Sequence, residues 1–282
     1  MSDPHFHKER HFFLHRDERT LYCLEYLPEQ PTPRQHGVIL CKPIWGERIR
    51  THRVFTNLAR LLAKQGYSVI TCDYYGDGNS QGDTLDLTFH GMVQDTVSLS
   101  HYFKEKHGVT LYSLIGLRIG ATVAMSAAKR LEDVEIMILI DPILDLAGYL
   151  KDALRINLSN QMAVHKKILK NRDSLIQDIR NGIPANMDGF LIGADLWNSF
   201  ETANPLQSDN QFKGQVTVLS LLDQGKKTAP DYSNLALKYK RMRLASIQKE
   251  FTWTDWKYHR PNPSTFFRTI LAELTIDPLA RD

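Results

Sequence analysis

Only three cysteines occur in 282 residues, no block of Lys/Arg stands out, and no apolar run approaches membrane-spanning length. Cys23, Cys41 and Cys72 each sit inside an apolar, strand-like run, with neither CxxC spacing nor a zinc pattern. They therefore read as reduced core thiols, and neither a disulfide framework nor a thiolate metal site is expected. A net charge of only +3 without a basic cluster argues against nucleic acid as a partner. No stretch reaches the roughly 18 apolar residues of a membrane helix, and the first ten residues hold no apolar core of signal-peptide length. These absences predict no membrane span and a cytoplasmic location.

Internal repeats and low-complexity tracts are also missing. What remains is an ordinary globular composition, 42% hydrophobic and 24% charged, enough for one α/β core with an insertion. His5, His7, His11 and His15 have spacings that converge on one face of a strand or helix. No carboxylate or thiol recurs at matching spacing to complete a site, so neither a metal nor a cofactor is expected.

Hydrophobic periodicity orders the elements. Phe12 to His15 and Leu21 to Leu27 form an antiparallel pair around Arg16-Asp-Glu-Arg19. Gly37 to Lys42 is a strand, and Val54, Leu58, Leu61 and Leu62 mark a helical face ending at Gly66. Tyr67 to Cys72 is the next strand, followed by a helix with Met92, Leu99 and Phe103 inward that stops near Gly108. Thr110 to Ile115 leads into an Ala-rich helix at 119–130, and Val134 to Ile140 is again a strand. Such strands, apolar on both faces and alternating with helices, predict an α/β fold with a mostly parallel sheet covered on both sides. From about 146 to 210 the alternation gives way to helical, more polar sequence, read as a cap inserted between core segments 1–145 and 211–282. Alternation resumes with Gln215 to Leu222, a helix within 231–242, a strand over Ser246 to Trp253, and a helix from Pro263 to Leu274.

The strand-to-helix junction reads Gly116-Leu-Arg-Ile-Gly120. Glycines at both ends fit a sharp turn that leaves no room for side chains. Arg118 at its centre is not a nucleophile: its guanidinium stays protonated and carries only donors, so it can hold an anion.

Two antiparallel strands, the parallel series, the turn Asp73-Tyr-Tyr-Gly-Asp-Gly-Asn-Ser80, the G-x-x-x-G junction, the insertion and two closing β/α units together resemble the α/β-hydrolase fold over nearly the whole chain. In that comparison Gly116 to Gly120 is the nucleophile elbow, with arginine where serine belongs. Pro43-Ile-Trp-Gly-Glu47, Arg50, Arg53, the continuation Gln81-Gly-Asp83 and the Gly-Leu-Arg-Ile-Gly elbow are similar to the exosortase-associated hydrolases, a bacterial branch whose elbow reads G-L-R-x-G. The resemblance implies an acid after the seventh strand, where Asp223 stands, and a histidine after the eighth. His259 lies in that last loop, although counting back from the following helix puts Trp256 at the place. Ordinary members carry His-Gly after the third strand; here Cys41-Lys-Pro-Ile-Trp45 stands instead, and Pro43 has no N–H to donate. Oxyanion donors would then be the backbone N–H groups of Ile44 and Ile119.

A buried arginine needs a counter-charge. Asp141 after the sixth strand, Glu47 in the loop after the third, and Asp223 are the candidates. Arg118 paired with one of them is either a structural plug or, helped by Arg53, a grip for a carboxylate, phosphate or sulfate. Ser113 lies inside its strand, too deep for a nucleophile, so retained hydrolysis would use water activated by Asp141, Glu47 or Asp223. Trp253, Trp256, Tyr258 and His259, with Phe190 and Trp197 of the insertion, would either wall an apolar pocket or pack cap against core. Two functions remain: an unorthodox hydrolase or acyl-transfer enzyme on an ester- or thioester-type substrate bearing an anionic group, or a non-catalytic pseudo-hydrolase that binds a ligand or a partner protein. The expected partner is a small-molecule or acyl substrate, and a homo-oligomer is compatible with the sequence.

Overall fold

A computed structural model describes residues 7–28, 35–206, 212–226, 228, 230–254 and 262–275. The chain opens with a hairpin, β1 (His7–Arg16) and β2 (Arg19–Pro28). Its two-residue turn, Asp17 and Glu18, has positive φ at both positions, the geometry that matches strand twist in tight hairpins. β3 (His36–Cys41), α1 (Trp45–Lys64), β4 (Ser68–Cys72), α2 (Phe89–His107), β5 (Leu111–Leu117), α3 (Ile119–Ala128) and β6 (Val134–Ile140) follow in regular alternation. α2 begins where the Thr88 hydroxyl accepts the Gly91 N–H and ends at Gly108 in the left-handed region.

Between β6 and the next sheet strand lie α4 (Leu146–His165), α5 (Arg172–Arg180), a short hairpin of β7 (Ala185–Met187) and β8 (Phe190–Ile192), and α6 (Ala194–Thr202). β9 (Gln215–Leu222), α7 (Ser233–Ala236), β10 (Met242–Gln248) and α8 (Ser264–Thr275) complete the described chain. The main sheet has eight strands in the order β1-β2-β4-β3-β5-β6-β9-β10, antiparallel at β1-β2 and β2-β4 and parallel from there on.

The strands alternate between two buried layers. Ile39, Leu114, Met137 and Val218 face α2, α3 and the elements between β6 and β9, while Val38, Ile115, Ile138 and Leu219 face α1 and α8. Each central strand is apolar on both faces for this reason. The helix expected within 231–242 is α7, four residues long. Two sequence expectations are corrected. β10 starts at Met242 rather than at Ser246. Glu47 lies in the first turn of α1 and not in a loop.

Candidate active site

β3 and β5 are neighbours in the sheet, but α1 follows β3 on one face and α3 follows β5 on the other, so the crevice at their carboxyl ends is a topological switch point. Cys41 and Gly116 are register partners there. The next residues, 42–44 after β3 and Arg118 after β5, are thus neighbours at one end of the sheet.

Arg118 adopts φ 58° and ψ −123° between β5 and α3, a conformation that side chains rarely take. Its N–H donates to Ile140 O (2.8 Å), and its carbonyl accepts the N–H of Ala121 (3.0 Å). The flanking glycines are required by contact. A Cβ on Gly116 would lie 2.4 Å from Gly120 O, and one on Gly120 would lie 2.1 Å from Cys41 O. α3 therefore starts pressed against the loop after β3.

The guanidinium of Arg118 meets Glu47, with Nη2 and Nε 3.3 and 3.4 Å from Oε1. The two side chains keep 23% and 16% of their exposure, so the pair is half-sheltered and not sealed. Burial raises the Glu47 carboxyl above its ordinary range, against the charges of Arg118 and Arg50. Arg118 also lies 5.1 Å from the Trp253 ring centroid and 5.9 Å from that of Tyr149, and Lys249 Nζ approaches Trp253 at 4.1 Å. Tyr149 stacks on Trp45 at 6.1 Å with an interplanar angle of 4°. Burial, then the adjacent Glu47 charge, drives the Tyr149 hydroxyl well above its ordinary value, so it stays a donor.

These groups border a cavity of about 540 Å³. Its floor includes Trp45, Glu47, Arg50 and Arg118, and its far wall comes from α4 and the β7–β8 hairpin, with Tyr149, Ile156 and Phe190. Trp45 is buried, and among the described residues its indole Nε1 has no hydrogen-bond partner.

The other expected site residues separate into groups. Asp141 follows β6 directly, at φ 42°, and its Oδ2 accepts the Leu221 N–H (3.2 Å). Burial first, opposed by that hydrogen bond and by Arg118, raises its carboxyl to about 6. Asp141 is thus close enough to Arg118 to feel its charge, but Glu47 makes the ion pair. Asp223 is 56% exposed and bound by Lys249 and Lys226 at 3.3 and 3.4 Å, which lower its carboxyl below the ordinary range. Arg53 is exposed on α1 and does not border the cavity; Arg50 occupies that position. In a helix of about 100° per residue, Arg50 lies about 60° from Glu47 while Arg53 lies about 120° away. Ile44 borders the cavity and precedes α1, whose first turn has no side-chain cap. Ile119 is fully buried at the start of α3, which also lacks a side-chain cap. Ser113 is fully buried and bonded to His36 (2.7 Å). Trp197 is core, whereas Phe190 reaches the cavity. His259, Trp256 and Tyr258 lie outside the described residues.

A buried charge cluster at the end of β3 and β4 escaped the sequence reading. Lys42 Nζ binds Asp73 Oδ1 (2.7 Å), and Arg48 approaches Asp73 (3.7 Å) and Asp77 (2.9 Å). Burial would raise Asp73, but the Lys42 charge and hydrogen bond prevail and lower it. Asp73 Oδ2 also accepts the Asn79 N–H (2.9 Å), so this lysine ties the loop after β3 to the Asp73 turn. A helix start at Trp45 would have signalled the arrangement, but Ile44 gives no capping cue.

An eight-stranded, mostly parallel sheet flanked by helices, with its crevice at the β3/β5 switch point, is the α/β-hydrolase fold. The family described as Hydrolase_4, serine aminopeptidase S33, matches residues 48–181. Protein ABHD12B of Homo sapiens is 33% identical over 86 residues, 30% of this chain and 22% of that protein. Lysophosphatidylserine lipase ABHD12 of Danio rerio is 34% identical over 88 residues, 31% of this chain and 22% of that protein. The match thus spans about a fifth of the length of these relatives. Among solved structures, ferulic-acid-bound Est1E from Butyrivibrio proteoclasticus is similar with a TM-score of 0.68 at 16% identity, covering 93% of this chain and 99% of that one. Mouse alpha/beta hydrolase domain-containing protein 10 has a TM-score of 0.60 at 16% identity, covering 94% and 98%. The structural neighbours share the α/β-hydrolase fold with this chain, and the family match covers somewhat under half of it.

Proposed function

We propose that the protein is an unorthodox hydrolase-superfamily enzyme that acts on an ester- or thioester-type substrate bearing an anionic group, beneath a cap formed by residues 146–210. The observation that carries this reading is that a cavity of about 540 Å³ stays open above the Arg118–Glu47 pair. A plug would have filled it. Arg118 and Arg50 supply the attraction for the anion, and the Trp45 indole N–H is a spare donor in the same wall. The uncapped first turns of α1 and α3 add backbone N–H groups at Ile44–Trp45 and Ile119 for a developing oxyanion.

Asp141 does not itself border the cavity but directly precedes Pro142, which does, and with its carboxyl raised to about 6 it is the base of this reading. It takes a proton from water as the water oxygen attacks the acyl carbon, then returns the proton to the departing alkoxide or thiolate. Glu47 orients Arg118, and no activated serine takes part. The G-L-R-x-G elbow supports a relation to the exosortase-associated hydrolases within this reading, whose setting is cytoplasmic.

A second reading is favoured by the ion pair itself: Arg118 already has its counter-charge, as in a pseudo-hydrolase that only binds. Purified protein assayed with p-nitrophenyl esters, acyl thioesters and a fluorophosphonate probe separates the two. Turnover that drops at least about tenfold in Asp141→Asn and Glu47→Gln, without probe labelling, supports the enzyme. No turnover supports the binder, and labelling of any serine overturns both.

A further inference from the structure

Residues 162–174, the end of α4 and its connection into α5, are exposed at every position, yet they include Met162, Val164, Ile168 and Leu169 at 47–72% exposure. The same residues hold four Lys/Arg, Lys166, Lys167, Lys170 and Arg172, against one acid, Asp173, in a chain whose net charge is only +3. This is a built surface. The Gln161 side-chain oxygen accepts the N–H groups of Leu169 (2.6 Å) and Lys170 (2.9 Å), and its amide donates to Lys170 O (2.9 Å). Lys166, in the left-handed region, closes α4, and Lys170 is tied to Asp178. The connection thus holds its apolar side chains outward in a fixed shape, beside Lys166, Lys167 and Arg172.

We infer that this tip docks on an anionic phospholipid surface. Apolar side chains interleaved with lysines suit the boundary between acyl chains and negative headgroups. A protein partner fits less well, because lysine is depleted at protein interfaces. The same helix borders the cavity with Asp152, Ala153 and Ile156, so the cavity opens about 14 Å along α4 from the docked end. No helix long and apolar enough to cross a membrane is present among the described residues, and surface docking needs none.

The test is co-sedimentation of the full chain with vesicles of phosphatidylcholine alone and of phosphatidylcholine with phosphatidylglycerol, at low and high salt. Binding only to the anionic vesicles, weakened by salt, is expected. Lys166→Glu/Lys167→Glu and, separately, Ile168→Ser/Leu169→Ser each reduce that binding at least about tenfold while unfolding temperature is unchanged. Absence of binding to anionic vesicles at low salt, or binding indifferent to both double variants, overturns the inference. So does sedimentation velocity showing a dimer that Ile168→Ser/Leu169→Ser dissociates in a protein that ignores vesicles, since the face would then cover a second copy.

Discussion

Asp141 shows how one residue couples stability to pH. Its carboxyl is raised from 3.8 to about 6 by burial, so the folded chain keeps a proton that the unfolded chain releases. An acid raised in the folded state contributes stability that is lost as pH rises: the loss begins near the unfolded value, about 4, and is complete just above about 6. The shift corresponds to roughly 3 kcal/mol at neutral pH. Asp141→Asn keeps an acceptor for the Leu221 N–H and has nothing to ionise. Urea unfolding between about pH 4 and pH 8 should therefore show a flatter profile for the variant, which is at least as stable as the parent at the alkaline end. An unchanged slope between the two would refute the assignment. The opposite sign applies to Asp73, where Lys42 lowers the carboxyl and stability is lost as pH falls.

At the scale of elements, the junction between β5 and α3 is set by glycine. Gly120→Ala places a methyl 2.1 Å from Cys41 O and 2.6 Å from Lys42 O, both backbone, so the sheet end or α3 must move. The expected cost is at least about 3 kcal/mol, or failure to fold. Gly189→Ala, in the β7–β8 turn at φ 92° with nothing within 4 Å, should cost only about 1 kcal/mol. Comparable melting temperatures for the two would contradict the packing argument. The central strands were legible because burial on both faces leaves continuous apolar runs: β6 and β9 fall at Val134–Ile140 and Gln215–Leu222 as read. Edge strand β10 was misplaced because one side is solvated and its sequence, Met-Arg-Leu-Ala-Ser-Ile-Gln, carries a weaker signal. The β7–β8 hairpin was missed because its strands have three residues each, although Asp188-Gly189 is a turn signal between apolar residues. Within the site, Glu47, one of three acids the sequence offered as partner for Arg118, makes the ion pair, while Asp223 is bound by Lys249 and Lys226 instead. Arg50 was not legible, because it depends on where α1 begins, and Arg53 was chosen in its place.

At the scale of the whole molecule, the segment between β6 and β9 shares its interior with the sheet. Leu150 and Leu154 of α4, Ile179 of α5 and Trp197 and Phe200 of α6 belong to the same continuous buried cluster as Leu114, Met137 and Val218 of the central strands. Phe89 N, at the start of α2, donates to the Ser199 hydroxyl of α6 (3.0 Å), and Phe89 packs edge-on against Phe200. A cavity wall built this way moves little on its own. The consequence is cooperative unfolding. Leu150 is fully buried, and Leu150→Ala should lower stability by about 2–5 kcal/mol. Tryptophan fluorescence reports Trp45, Trp197, Trp253 and Trp256 together, while far-UV circular dichroism reports the sheet and helices. In urea both signals should shift to the same lower midpoint in the variant. Two separated transitions, with only the earlier one moved by Leu150→Ala, would mean that the inserted segment unfolds independently and that the cavity opens by losing its wall.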